Sequence, residues 1–94
     1  FFGRSAADDH GYGTALVTIE DDVVVKVVLE EVMPDGTWKD WETYPYVEAY
    51  EAKLTMEARF TDAGHPDVDG ISGATSSAEK WIAAVTNALR MAEK

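Results

Sequence analysis

The hydrophobic period changes near the middle of this chain, from two to about 3.6, and few folds accommodate that order. From Gly13 onward, Ala15, Val17 and Ile19 fall on one side of an extended backbone and Thr14, Leu16, Thr18 and Glu20 on the other. Such alternation is the signature of a strand. Asp21 and Asp22 separate this run from a second, in which Val23, Val25, Val27 and Leu29 alternate with Val24, Lys26, Val28 and Glu30. Two β-branched runs joined by two acidic residues predict a β-hairpin. The second run is apolar on both faces for several residues, which predicts a central strand covered on both sides. Met33, Pro34, Asp35 and Gly36 form the next turn signal, and a short strand is expected near 37–39.

The second half reads as helix. Pro45 can open a helix over 46–60, with Val47, Tyr50, Leu54 and Ala58 on one face. Gly64, with Pro66 beyond it, closes it. A loop over 62–75 leads to a second helix over 77–92. Its apolar stripe is Trp81, Ile82, Val85, Ala88, Leu89 and Ala92, with Glu79, Lys80, Asn87 and Arg90 off the stripe. The expected architecture is α+β: a small antiparallel sheet containing a β-hairpin, followed by two helices packed on it. Residues 1–10 have no period and read as an entry arm, leaving 11–94 as a single domain.

Composition narrows the function. The 94 residues suit one compact domain, and 46% hydrophobic with 28% charged is ordinary for a globular chain. Cysteine is absent, so disulfides and thiolate metal sites are excluded. A formal charge of −10 repels nucleic-acid backbones and anionic membranes, so no nucleic-acid partner is expected. No apolar run approaches the roughly 20 residues of a membrane span. Residue 1 is Phe rather than Met, from which a processed or excised chain is expected.

The informative stretch is Asp69-Gly70-Ile71-Ser72-Gly73-Ala74-Thr75-Ser76-Ser77, which enters the last helix. Gly70 and Gly73 let the backbone approach a ligand or take positive φ. A helix N-terminus presents unpaired N–H groups and partial positive charge, a setting for phosphate oxygens. The loop itself holds no Lys or Arg, so reversible tight binding of a nucleotide would need a basic side chain from elsewhere; a covalent tether removes that need. The same residues also admit a plainer reading, in which Ser76 and Glu79 form a capping box. Walker A fails for want of a Gly-Lys-Ser/Thr ending, and a dinucleotide fingerprint fails on spacing. A calcium loop counted from Asp67 has Ser72 and Ala78 where Gly and Glu are required. His10 and His65 are too isolated for zinc, and no catalytic residue or metal ligand is expected.

Residues 69–75 resemble the flavinylation motif of the FMN-binding domain family, Asp-x-x-Ser/Thr-Gly-Ala-Thr. That family includes subunits of sodium-pumping quinone reductases and bacterial surface flavoproteins of extracellular electron transfer. The helix after the motif and the valine-rich hairpin after Gly11-Tyr12-Gly13 are also similar, so the resemblance spans roughly 11–92. It implies FMN joined by a phosphodiester to Thr75, attached by a separate flavin transferase, with Asp69, Gly70, Ser72, Gly73, Ala74, Ser76 and Ser77 around it. It implies an electron carrier whose partners are redox donor and acceptor proteins or quinone. The location implied is extracytoplasmic, at the cell surface or anchored to a membrane through a segment outside these residues. Trp38, Trp41, Tyr44, Tyr46 and Tyr50 are candidates to lie against the ring, with Trp81 expected in the core. The acidic surface is expected to lower the flavin potential modestly. Alternatives are a non-redox cell-surface binding module in which the loop only caps the helix, an enzyme with non-covalent FMN, and a relay domain of a larger flavin reductase.

Overall fold

The computed structural model describes residues 1–43, 47–70 and 75–92. Strands β1 (Phe2–Arg4), β2 (Tyr12–Glu20) and β3 (Val23–Val32) precede helices α1 (Val47–Ala63) and α2 (Thr75–Ala92). The strands form one antiparallel sheet in the order β1-β2-β3. α2 lies across β1 and β2, and α1 lies against β3, on the same face. This is the expected α+β fold of a hairpin sheet followed by two packed helices.

The hairpin turns where the sequence places it. Glu20 pairs with Val23, and Asp21 and Asp22 both take positive φ, 52° and 64°. Two left-handed residues in a two-residue loop make the turn whose twist matches paired strands. Ala15 and Val17 face the helices and are buried, while Leu16 and Thr18 are exposed.

The short strand expected near 37–39 is a single bridge between Trp38 and Val32, and three larger features of the packing also depart from the sequence reading. Phe2–Arg4, inside the segment read as an arm, form β1 and pair with 14–16 of β2. A three-residue strand is too short to show a period, so its partner has to reveal it. Gly3 allows this strand to touch α2: a Cβ there would meet the Ala84 carbonyl oxygen at 2.2 Å.

β3 is an edge strand rather than a central one, with Val23 and Val25 59% and 43% exposed. The register shifts so that Thr18 pairs with Lys26 but Ile19 with Val24, leaving Val25 as a bulge. The bulge swaps the phase of the strand. Val24 packs on the core before it, and Val27 and Leu29 after it. The valine-rich run is thus one buried face written in two phases.

The third departure is the orientation of α1. Its buried face is Ala52, Lys53, Met56 and Phe60, whereas Tyr50 and Leu54 are 42% and 45% exposed and Ala58 is also exposed. Lys53 and Glu57 occupy the inward side as an ion pair of 2.8 Å, which hides that side from an apolar count. Gly64 ends α1 as expected, with φ 72° and its N–H on the Phe60 carbonyl at 2.9 Å.

α2 buries Ala78, Trp81, Ala84, Val85 and Ala88. The Trp81 indole Nε1 donates to the Glu30 carbonyl at 3.1 Å, so the largest core side chain is also hydrogen-bonded. Gly13 lies under it; a Cβ there would be 3.1 Å from Trp81 Cδ1.

Candidate functional site

α2 starts at Thr75, two residues earlier than the period predicts. Ser76 is therefore inside the first turn, and a capping box with Ser76 as the cap loses its position. The first turn holds no acidic residue, so its partial positive charge is not offset within the turn. Ser72, Gly73 and Ala74 lie outside the described residues, as do the side chains of Thr75 and Ser76. Asp69, Gly70 and Ser77 are the candidate site residues described in full.

The start of the motif is held by a cation from α1. Arg59 Nη1 donates to the carbonyls of Asp69 and Gly70, at 2.8 and 3.1 Å. A guanidinium suits this because its donors are fixed in one plane. Gly70 does not take positive φ, and an added Cβ would make only ordinary contact with Ala78 at 3.4 Å. Among the described residues, neither the φ of Gly70 nor its neighbours demand a glycine there.

Beside the first turns of α2 lies a cavity of about 370 Å³ lined by His10, Glu31, Met33, Pro34, Lys39, Ser77 and Lys80. Lys39 Nζ is 2.6 Å from Glu31 Oε2, with both side chains about nine-tenths buried. Lys80 Nζ is 2.8 Å from Asp8 Oδ1. The Lys80 hydrogen bond, followed by the His10 N–H, holds the Asp8 carboxyl below its ordinary value. Two of the chain's eight Lys and Arg residues therefore meet at one small cavity next to the motif helix.

A neighbouring cavity of about 470 Å³ is lined by Glu30, Lys39, Asp40, Trp41, Glu42, Tyr50 and Lys53. Trp41 stands 6.3 Å from both Tyr50 and Trp81 by ring centroids, and its Nε1 donates to Glu30 Oε2 at 2.9 Å. Of the aromatic candidates, Trp41 and Tyr50 are gathered here, and Trp38 is exposed at its bridge to Val32. Tyr44 and Tyr46 lie outside the described residues. Trp81 is fully buried, as expected.

Sequence reasoning missed Arg59, Lys39 and Lys80. They stand 10 residues before Asp69, in the loop after β3, and three residues after Ser77, so only folding assembles them. Lys80 had a local signal, one turn from Ser77 on the same helix.

The fold and site define a small α+β domain whose motif helix opens beside cationic side chains and a cavity of ligand size. The sequence model of the FMN-binding domain matches residues 10–90, and the chain belongs to that family. The crystal structure of the CPE2226 protein from Clostridium perfringens is similar in fold, with a TM-score of 0.83 and 24% identity. The similarity covers 99% of this chain and 85% of that one. No curated protein matches significantly. Membership of the family supports FMN as the ligand and a flavin-binding role.

The residues present fit such a group. A phosphate needs N–H donors and positive charge. The unoffset first turn of α2 and the Lys80 ammonium can supply both.

Proposed function

We propose that this domain carries FMN covalently, its phosphate esterified to Thr75 by a separate flavin transferase, and relays electrons between redox partners. The observation that carries this reading is the complete motif, Asp69 to Thr75, set at the start of a helix whose first turn holds no acid. Bound FMN would supply reversible uptake and release of electrons. The chain's own residues have other work. The α2 amides and Ser77 would receive phosphate oxygens, Arg59 would fix the loop, and the walls around Lys39 and Trp41 would limit water. The partners would be redox proteins or quinone. The location would be outside the cytoplasm, at a surface or membrane anchored elsewhere; among the described residues no helix is long and apolar enough to cross a membrane.

The test is intact mass after co-expression with a flavin transferase. Wild-type protein should gain the mass of FMN less one water, and Thr75→Ala should gain nothing. An unshifted wild type beside a positive control removes the covalent reading.

A second reading has its own support. Lys39 and Lys80 provide the basic groups that the motif loop lacks, and reversible FMN binding would use them. In that case the yellow colour leaves the protein on denaturation and filtration.

A further inference from the structure

We infer that Arg59 is a positioning residue for flavin transfer: it holds the first two residues of the motif in the form that a flavin transferase receives. The inference rests on the Thr75 reading and adds what prepares that site for its partner.

Rigidity starts in α1. Arg59 stands between Met56 and Phe60, whose side chains are fully buried in the core. A close-packed core holds the backbone that carries Arg59 in place. On the loop side, Val68 packs against the same core, and its N–H meets the Pro66 carbonyl at 3.0 Å. Arg59 secures the next two residues. A single nitrogen, Nη1, gathers the carbonyls of Asp69 and Gly70. Each peptide unit is planar, so the amide that follows a held carbonyl points the opposite way. The Gly70 N–H is therefore turned away from Arg59, and the backbone that enters the motif is fixed from both α1 and the core.

The groups that Arg59 leaves alone are equally informative. It shares a cavity of about 450 Å³ with Asp62, Ala63, Val68 and Asp69. Among the described residues it forms an ion pair with neither carboxylate. Its bonds go to backbone, so its work there is shape rather than charge neutralisation. Asp69 is exposed, and among the described residues its carboxylate has no ion-pair partner. The first position of the motif thus combines a fixed main chain with a side chain left open to a partner.

In the transfer, the Thr75 hydroxyl oxygen bonds to the flavin-bearing phosphorus of FAD. The P–O bond to the adenylate breaks and AMP leaves with its electron pair. The hydroxyl proton passes to a base of the transferase. Arg59 acts through the loop and not on these atoms. A loop freed from Arg59 must be ordered when the transferase docks. That cost falls on the bound substrate and the transition state alike, so it raises KM and leaves kcat.

The experiment follows flavin transfer by intact mass, with the purified domain as substrate beside FAD, Mg²⁺ and a flavin transferase. Far-UV circular dichroism checks the fold of each variant. Arg59→Met keeps the stem and removes the donors, and it should raise KM for the domain about tenfold with kcat within about twofold. Arg59→Lys keeps a charged donor without the planar fork and should fall between Arg59→Met and wild type. Val27→Ala empties buried volume in β3, away from the loop bonds, and should leave KM within about twofold. A readout without flavin is limited proteolysis: an Asp-directed protease should cut before Asp69 about fivefold faster in Arg59→Met and at the wild-type rate in Val27→Ala. An unchanged KM in folded Arg59→Met overturns the inference. So does an equal rise in Val27→Ala, since Arg59 would then only stabilise the fold. If Arg59→Met does not fold, Arg59→Lys decides: a KM more than about twofold above wild type supports the role, and a wild-type KM overturns it. A wild type that takes up no flavin beside a positive control fails at the earlier step and overturns the Thr75 reading, and this inference with it.

Discussion

Trp81→Ala should remove about 3–5 kcal/mol of folding stability. A domain of this size has roughly 5–14 kcal/mol in total, so the variant should stand near the limit of folding. The reasons are local. Trp81 is fully buried at the centre of the helix–sheet interface, and its ring is 6.3 Å from that of Trp41. Its indole N–H is engaged by the Glu30 carbonyl. Truncation leaves a large cavity above Gly13, and neighbouring β2 backbone cannot collapse into it without breaking the ladder. Trp81→Phe keeps most of the volume and loses the hydrogen bond, so it should cost about 1–2 kcal/mol. Thermal and denaturant unfolding followed by far-UV circular dichroism would measure both. A loss below about 1 kcal/mol for the alanine variant would contradict the packing described. Flavin loading should fall with stability, since Trp81 pins the first turns of α2 to the end of β3, where Lys39 and Lys80 meet.

Much of this molecule is legible in the sequence, and the parts that are not have one cause. The hairpin is readable because its information is local: alternating residues flank Asp21 and Asp22. The last helix is readable because Trp81, Val85 and Ala88 repeat at its own period. The motif is readable because it is a contiguous string. By contrast, β1 is held by distant partners: β2, fourteen residues away at Phe2 and Leu16, and α2, against which Gly3 packs. The burial of Lys53 depends on a partner one turn along and on an edge strand. The cations around the motif come from α1, α2 and the loop after β3, and no spacing rule joins them. The bulge at Val25 is the intermediate case. It is a local event, yet valines stand on both faces around it, and the single polar residue, Lys26, does not by itself mark the change of phase.

Glu57→Ala should be the second most damaging substitution, at about 2–4 kcal/mol. Glu57 does two things at the free edge of the sheet. One carboxylate oxygen, Oε2, accepts the Leu29 N–H at 2.8 Å and pairs with Lys53 Nζ at 2.8 Å. Edge strands need such cover, because an exposed N–H row invites pairing with another chain. The Lys53 side chain is only 9% exposed, so removing its partner leaves an ammonium in a poorly solvated place. The slightly greater exposure of Glu57, 17%, lets some water in and keeps the cost below that of a sealed pair. Glu57→Gln should be milder, because an amide oxygen can still accept the Leu29 N–H. The double variant Lys53→Met, Glu57→Leu should recover the part of the loss that comes from the stranded charge, and keep the part that comes from the orphaned N–H. The order alanine, then double variant, then wild type distinguishes a stranded charge from a simple loss of packing. If the double variant is less stable than Glu57→Ala, the pair stabilises the fold in its own right and the stranded-charge account is wrong. Hydrogen exchange at Leu29 gives an independent check: its amide should exchange faster in Glu57→Ala, while the amide of Val28, which pairs with Leu16 in the ladder, keeps its rate relative to global unfolding.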